Sequence, residues 1–441
     1  MKVIIEPMHS VLKKVVATLD AATCLKFKQN VLKKVQASAV MPGFRKGKVP
    51  LDILNRRYAD IIADEVKQSL LGEVVEYLKS TEKLEIASLV KTDFEDAVDG
   101  QQTVSLEVEV IPEITLPDYK NFLLEEENIQ IKDEEIRDFI AHLQKQQATY
   151  EVVHREANMR DYVKIAYEGI CDGEPVDNFK DVPHAWRKQK STWEEVGSGV
   201  AVGIPEIING IVGMKAGDKK DIKVLFPENF AVHALRGKEG YYTVEMQEVR
   251  EVKMPAMDEA FFKNYQVKNL NELNDFARKT LMERKRQAYA GQQKQRISEF
   301  LIQSVTCDLP PSWVKRESEK VLQEMVNLFA THGVKNDLLE EQKEKVIQKA
   351  QSIAEDRVKL NLCFEKIAAQ EKLQLEGKDI EPVLIQEAMQ RQISAQKMLQ
   401  MVQKNSPLRQ EIQQKSMQAK LINWLFCYLE NKQKNVEKKE D

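Results

Sequence analysis

Glycine and proline are scarce in this chain of 441 residues, which contains 17 glycines and 14 prolines. Both residues interrupt helices, so a low content of each favours long helical segments. Charged residues reach 31% of the sequence, whereas aromatic residues make up only 7%. We therefore expect a helix-rich protein, whose length predicts about two to four domains with enough core to need no disulfide or metal.

Cysteine is also rare, and its five positions are scattered. They form no CysXXCys pair and have no histidine at ligand spacing, which excludes a disulfide scaffold and a zinc ribbon. The sequence contains no GxxxxGK[ST] phosphate loop, so an ATP-driven machine is unsupported. We expect reduced thiols, no metal and no cofactor. The cysteines are Cys24, Cys171, Cys307, Cys363 and Cys427.

Long apolar runs are missing as well, since no stretch approaches the roughly 18 residues of a membrane span. The opening residues, MKVIIEPMHSVLKKVV, lack the uninterrupted apolar core and cleavage site of a secretion signal. We expect a cytoplasmic protein without a membrane partner. The formal net charge is only -4, so binding to a polyanion would require a local basic patch.

The first part of the chain mixes strand and helix signals. Residues alternate between apolar and polar along Thr103–Val110, and Val11–Leu19 is rich in strand formers, which predicts two half-buried strands. Asp20 is a suitable cap for one helix, and a second helix is predicted over Pro50–Ile62. These signals predict an α+β domain that ends near Pro112.

A different composition begins at about residue 161. Strand-like stretches alternate with glycine-containing turns, which predicts a β-rich domain of about 90 residues. The sequence after Gly240 becomes a series of weakly amphipathic helical segments. The strand-like stretches are Tyr162–Tyr167, Asp221–Phe226 and Tyr241–Val249, and the helical breaks are near residues 310–311, Gly333, Gly377 and Pro407.

The predicted fold class is therefore multidomain α+β, with an α+β domain, a β-rich domain and an all-α C-terminal region. A linker and a helical arm follow the first domain, and the arm is expected to pack with the C-terminal helices. A charged, frayed tail is expected at the end of the chain. The predicted boundaries are 1–112, 113–160, 161–248, 249–432 and 433–441.

The most distinctive local segment is MetProGlyPheArgLysGlyLysValPro at residues 41–50. Its glycines and prolines predict a shaped turn between two helices. Nine Lys and Arg residues but only one acid, Asp52, lie between Ala21 and Arg57. Composition alone leaves two interpretations open: a solvated face with Phe44 folded into the core, or a docking surface for phosphate and protein.

The sequence GlyPheArgLysGlyLysValPro resembles the GFRxGxxP docking signature of the trigger factor family, and the resemblance extends over nearly the whole chain in domain order and length. It implies that this loop contacts the ribosome, both protein and RNA, near the tunnel exit. Under this resemblance the first domain is a ribosome-binding domain and the C-terminal helices form a chaperone domain. The implied docking residues are Gly43, Phe44, Arg45, Lys46 and Gly47.

Residues 161–248 resemble an FKBP-type peptidyl-prolyl isomerase, on the stretches AsnGlyIleValGlyMetLysAlaGlyAsp, PheProGluAsnPhe and LeuArgGlyLys. Rotation about an X-Pro bond needs an apolar pocket but no nucleophile or metal. The same residues are also suited to an ordinary β-domain core. Ile207 occupies a floor position that is usually Trp or Phe, and the stretch Phe179–Gly203 is longer than usual. The implied pocket is Tyr167, Asp177, Ile204, Ile207, Phe230 and Tyr242.

The C-terminal helices contain Met389, Met398, Met401 and Met417, and methionine adapts to many apolar partners. The resemblance implies a chaperone that binds nascent and unfolded polypeptides, keeps them open and catalyses prolyl isomerisation in protein folding and export. The resemblance also implies that the protein can form a homodimer when it is not bound to the ribosome.

Three other functions remain to be compared with this one. The FKBP-like domain would be only a binding module in a non-catalytic chaperone. A dedicated isomerase would act away from the ribosome and use its helices for dimerisation, but the 43–50 loop argues against it. A general RNA-binding protein would carry repeated aromatic stacking motifs, which the basic segment lacks.

Overall fold

The computed structural model describes the backbone of residues 1–39, 42, 44–45, 47–96, 100–126, 129–179, 182–197, 204–230, 232–331 and 343–440. Its contacts divide the chain into two compact units. The first unit combines residues 1–126 with residues 289–441, and the second comprises residues 127–288. The elements confirm a multidomain α+β fold with an all-α C-terminal region.

The N-terminal domain is a four-stranded antiparallel sheet packed against helices. Its strands are β1 (Lys2–Pro7), β2 (Leu12–Leu19), β3 (Ile86–Asp96) and β4 (Gln102–Val110), and its helices are α1 (Ala21–Ser38), α2 (Leu51–Arg57) and α3 (Ala59–Ser80). The sheet order is β1-β2-β4-β3. Val104, Leu106 and Val108 of β4 share a core with Leu70 and Val74 of α3, which confirms the predicted alternation.

The two predicted helix starts in this domain differ in outcome. The Asp20 carboxylate accepts a hydrogen bond from the Thr23 amide at 2.8 Å, so Asp20 caps α1 as predicted. The single helix predicted over Pro50–Ile62 is wrong, because Tyr58 has φ -119° and ψ 29° and separates α2 from α3. The Tyr58 side chain packs against Val49 and Leu54, and this small core fixes the break.

Glu109 departs from the solvent-facing position that alternation assigns to it. Its side chain is buried because it accepts hydrogen bonds from the Ser312 amide, at 3.2 Å to each carboxylate oxygen, and from the Ser312 hydroxyl. The Trp313 indole N–H also donates to the Ala87 carbonyl at 3.2 Å. These bonds connect the N-terminal sheet to the first turn of a C-terminal helix.

The second unit contains a six-stranded sheet. Its elements are α4 (Asp133–Gln146), β5 (Thr149–Val152), β6 (Tyr162–Cys171), β7 (Glu174–Pro175), β8 (Gln189–Glu195), α5 (Pro205–Gly210), β9 (Lys219–Leu225), β10 (Glu239–Lys253) and α6 (Glu259–Asn264). Strands follow the order β5-β10-β6-β7, while β8 pairs with β6 and β9 pairs with β10. The three predicted strands are confirmed as β6, β9 and β10.

Helix α4 packs outside this sheet, against helices from later in the chain. The helix α7 (Leu270–Ser304) follows α6 and runs from the second unit into the first. Ile136 and Ile140 of α4 share a core with Phe261 and Phe262 of α6 and Leu273 of α7. Apolar side chains therefore join the predicted arm to helices that lie beyond residue 249.

The remaining elements that the structure describes are all helices. They are α8 (Pro311–Thr331), α9 (Lys343–Gln370), α10 (Gly377–Gln390), α11 (Ala395–Lys404) and α12 (Ser406–Glu440). Helices begin at Pro311 and Gly377, and Pro407 lies in the first turn of α12, so these predicted breaks are confirmed, whereas Gly333 lies outside the described residues. A frayed tail is predicted from residue 433, whereas the structure continues α12 to Glu440. The Lys434 ammonium forms an ion pair with the Glu430 carboxylate at 2.7 Å.

Candidate functional site

The structure brings five of the six predicted pocket residues into one core. Tyr167 on β6, Ile204 and Ile207 at α5, Phe230 after β9 and Tyr242 on β10 all belong to the main apolar cluster of the β-rich domain. Each is at most 7% exposed. Alternation places Tyr167 and Tyr242 on the inner face of adjacent strands, where their rings meet edge to face at 6.0 Å.

Asp177, the sixth predicted residue, is polar and lies outside the apolar core, but together with burial its charge helps to raise the pKa of Tyr242. It is exposed in a short turn after β7, and its carboxylate accepts a hydrogen bond from the Lys188 amide at 2.8 Å. A carboxylate in this position fixes the segment that leads into β8, and its part in a pocket stays a prediction.

Sequence reasoning missed two aromatic rings of this cluster, Trp186 and Phe226. The Trp186 ring centroid lies 4.8 Å from that of Phe230 and 5.1 Å from that of Phe226. Phe226 is predicted as the end of a strand and begins the PheProGluAsnPhe stretch, but it is not among the implied pocket residues, and Trp186 lies in the stretch noted for its unusual length. The available signal for Trp186 is an aromatic residue within this unusually long stretch, in the sequence HisAlaTrp that follows Pro183.

Both pocket tyrosines donate hydrogen bonds to the turn that carries Trp186. The Tyr167 hydroxyl donates to the Ala185 carbonyl at 2.6 Å, and the Tyr242 hydroxyl donates to the Trp186 carbonyl at 2.8 Å. Burial raises the pKa of Tyr167 to about 12 and raises the pKa of Tyr242 further. Both phenols are therefore neutral donors at physiological pH.

Gly169 is required where Tyr242 packs across β6. A Cβ atom at this position would lie 2.4 Å from the Tyr242 ring, well inside van der Waals contact. Gly169 and Tyr242 are also direct partners in the β6–β10 register. The absence of a side chain at Gly169 thus admits the tyrosine ring into the core.

The 41–50 loop is anchored at one end. Val49 and Leu54 are fully buried, and the Gln36 side-chain amide donates to the Val49 carbonyl at 2.6 Å. Gly47 has φ +78°, a backbone angle that L side chains rarely adopt. Of the predicted docking residues, Gly43 and Lys46 lie outside the described residues.

Phe44 and Arg45 are exposed, so Phe44 is not folded into the core. The exposed fraction of Phe44 is 40%. Eight described cations of this region are also exposed, and none forms an ion pair with another residue that the structure describes. We call Phe44 and these cations the basic surface. The cations are Lys26, Lys28, Lys33, Lys34, Arg45, Lys48, Arg56 and Arg57.

The four methionines singled out in the helical region have different environments. Met398 is fully buried and Met417 is partly buried, so both fill the interior. Met389 and Met401 are 73% and 39% exposed. Across the described ranges, no helix is long and apolar enough to cross a membrane, and no cluster of three or more His, Cys, Asp and Glu residues could hold a metal.

Comparison with known proteins agrees with this architecture. The model for bacterial trigger factor protein matches residues 1–143, and that for its C-terminus matches residues 269–427. The trigger factor of Opitutus terrae is 31% identical over 427 residues, which cover 96% of this chain and 97% of that protein. This chain belongs to the trigger factor family. The trigger factor of Geotalea daltonii is 24% identical and covers 97% of both chains.

A solved trigger factor chaperone structure supports the fold. It is described as "Promiscuous Substrate Recognition in Folding and Assembly Activities of the Trigger Factor Chaperone". It aligns with 97% of this chain and 100% of its own, with a TM-score of 0.50 and 17% identity. The model for FKBP-type peptidyl-prolyl cis-trans isomerase matches residues 153–262. This trigger factor is thus a chaperone with a central FKBP-type domain.

The raised tyrosine pKa values predict alkaline sensitivity of the FKBP-type domain. A phenol whose folded pKa exceeds the unfolded value of about 10 contributes stability below pH 10, and that contribution is lost as the pH rises through the folded pKa. We expect the free energy of unfolding to fall between about pH 10 and 12, measured by urea titration with near-ultraviolet circular dichroism.

The matched variant is Tyr242→Phe, which removes one hydroxyl and keeps the ring. Its free energy of unfolding should depend less steeply on pH over this interval, and phenolate absorbance should show one late-titrating tyrosine fewer. An unchanged count of late-titrating tyrosines would contradict the assignment.

Proposed function

We propose that this trigger factor docks on the ribosome through the basic surface, shields nascent and unfolded polypeptides with its helices, and isomerises prolyl bonds in its FKBP-type domain. The observation that carries the docking proposal is the basic surface itself: exposed cations without described ionic partners beside an exposed aromatic ring. Its site of action would be the cytoplasm, where ribosomes translate.

The chemistry of the basic surface suits a partner made of both RNA and protein. Lys and Arg side chains pair with phosphates or carboxylates, and Arg does so with a bidentate geometry. The Phe44 ring supplies apolar contact area of the kind that dominates protein interfaces. A cation that already has an ionic partner within the protein must break that pair before it binds phosphate. The cations of the basic surface have no described ionic partner, which favours their binding to phosphate.

The client-binding proposal is supported by exposed apolar side chains on the C-terminal helices. Ile385 and Met389 of α10 and Leu399 and Met401 of α11 are each at least 36% exposed. Scattered, flexible apolar groups can contact many sequences weakly, as a chaperone for varied clients requires. Promiscuous substrate recognition is what the solved trigger factor structure describes for that protein.

The isomerase proposal rests on the apolar, aromatic cluster around Phe230. Such a site lowers a torsional barrier by holding the prolyl ring and excluding water, without acid, base or metal chemistry. A non-catalytic binding module is the second candidate. Ile207 at the implied floor and the internal hydrogen bonds of both phenols favour it, because the Tyr167 and Tyr242 hydroxyls already donate to backbone carbonyls.

The docking proposal predicts that replacing Phe44, Arg45 and Lys46 together by Ala abolishes co-sedimentation with ribosomes while the protein stays folded. Binding of the native chain should weaken as salt rises, since cations on phosphate displace counterions. Sedimentation at graded salt measures both effects.

Lys79→Ala is the matched control, because Lys79 is exposed at the far end of α3, about 30 Å along the helix from Tyr58. This control should sediment like the native chain. Undiminished binding by a folded triple variant would refute the docking surface.

The isomerase proposal predicts that the full chain accelerates cis/trans exchange of a prolyl peptide and that Phe230→Ala lowers the rate about tenfold or more. Loss of the ring removes apolar contact with the prolyl group. Exchange spectroscopy by nuclear magnetic resonance measures the rate. A native chain no faster than the uncatalysed peptide would instead support the binding module.

The client-binding proposal predicts that the chaperone holds clients without its FKBP-type domain. Thr149 and Lys253 are direct antiparallel partners, so their Cα atoms lie about 5 Å apart and a two-residue Asn-Gly turn can replace residues 150–252. The core between α4, α6 and α7 is retained.

Circular dichroism first confirms that the deletion variant is folded. A denatured client is then diluted into an excess of the variant, and light scattering measures how far the client aggregates. We expect aggregation to be suppressed as by the full chain. Scattering equal to that of the client alone would assign the holding surface to the FKBP-type domain.

A further inference from the structure

Trp186 packs at the edge of the aromatic cluster of the FKBP-type domain. Its indole packs edge to face on Phe230, with ring centroids 4.8 Å apart, and leans on Phe226. Phe226 and Phe230 are buried, whereas Trp186 is only partly buried. Of these three rings, the indole therefore offers the most accessible surface to a group arriving from solvent.

The turn that carries Trp186 is fixed on several sides. The Tyr167 and Tyr242 hydroxyls donate to the carbonyls of Ala185 and Trp186. The Arg187 guanidinium donates to the Val182 carbonyl at 2.9 Å. Because these bonds hold the backbone of the turn from inside the domain core, displacement of the turn costs buried hydrogen bonds.

Ile207 leaves the core without a ring at the position that the family resemblance assigns to the pocket floor. Its side chain is 1% exposed and lies in the same core cluster. An isoleucine offers less flat contact area to a prolyl ring than an aromatic group does. Trp186 supplies a ring to the same cluster from a different part of the chain.

We propose that Trp186 is the wall on which the prolyl ring of a substrate packs, and that Tyr167 and Tyr242 are positioning residues that hold its turn. This assignment rests on the proposed isomerase function. It gives the phenol hydroxyls a role different from substrate binding, since each already has an acceptor in the protein. The apolar indole, rather than a hydroxyl donor, then meets the substrate.

The test uses the full chain and a proline-containing tetrapeptide, with kcat/KM for cis/trans exchange measured by nuclear magnetic resonance. We expect Trp186→Ala to lower kcat/KM about tenfold or more, as loss of a buried aromatic contact does. Trp186→Leu keeps much of the apolar volume, so its kcat/KM should lie between those of the native chain and Trp186→Ala. If the alanine variant does not fold, the leucine variant replaces it in this test.

Trp193→Ala is the matched control. Trp193 lies on β8 in the same domain, where it stacks on Tyr162 at 5.5 Å and on the Arg250 guanidinium at 4.5 Å. It belongs to a different ring cluster, so its loss should change kcat/KM by less than about twofold.

The positioning role is tested by a double-mutant cycle. Tyr242→Phe should lower kcat/KM in the native background but have little effect in the Trp186→Ala background, because the hydroxyl acts through the turn. Equal effects in both backgrounds would overturn the positioning role. Ile207→Phe should restore part of the activity of Trp186→Ala by supplying a ring at the floor.

Peptide binding gives a readout that is independent of the rate. The chain has four tryptophans, so the indole N–H signal of Trp186 can be identified by its loss in Trp186→Phe, and it should shift as the peptide is added. A native chain without isomerase activity would refute the proposed function. An active native chain whose folded Trp186→Ala variant has unchanged or higher kcat/KM, or whose indole signal does not respond to the peptide, would overturn this inference.

Discussion

Burial of the segment that follows the N-terminal domain is the constraint on which the first unit depends. Ile114, Tyr119 and Leu124 are each at most 6% exposed and pack into the core of α7, α9 and α12. The Tyr119 hydroxyl donates to Glu371 at 2.8 Å, and Glu371 also pairs with Lys120 at 2.6 Å. Apolar burial therefore joins residues far apart in sequence, and residues 127–288 are inserted between the two parts of one compact unit.

Within the inserted residues, the FKBP-type domain has a core of its own. The FKBP-type core lies within residues 157–249, and the pairing of β5 with β10 brings the two ends of that stretch together. An insertion that enters and leaves at adjacent strands can lose or gain stability without disturbing the unit that surrounds it.

Much of this fold can be predicted from local sequence patterns, because those patterns reflect interactions between residues close together in the chain. The alternation in β4 and the Asp20 cap depend on neighbours within a few residues, and both are confirmed. The break at Tyr58, the burial of Glu109 and the place of Trp186 depend on contacts with distant residues. Glu109 is separated by 203 residues from Ser312, and no periodicity in β4 could indicate a partner that far along the chain.

The two proposed binding surfaces use polar groups in opposite ways. Within the part of the chain that the structure describes, the cations of the basic surface have no ionic partners, so binding of phosphate adds interactions at little internal cost. At the aromatic cluster, both phenols already donate to carbonyls, and a substrate that required either hydroxyl would first have to break a buried hydrogen bond. Affinity at that cluster must therefore come from apolar contact, and the accessible ring of Trp186 is the group best placed to provide it.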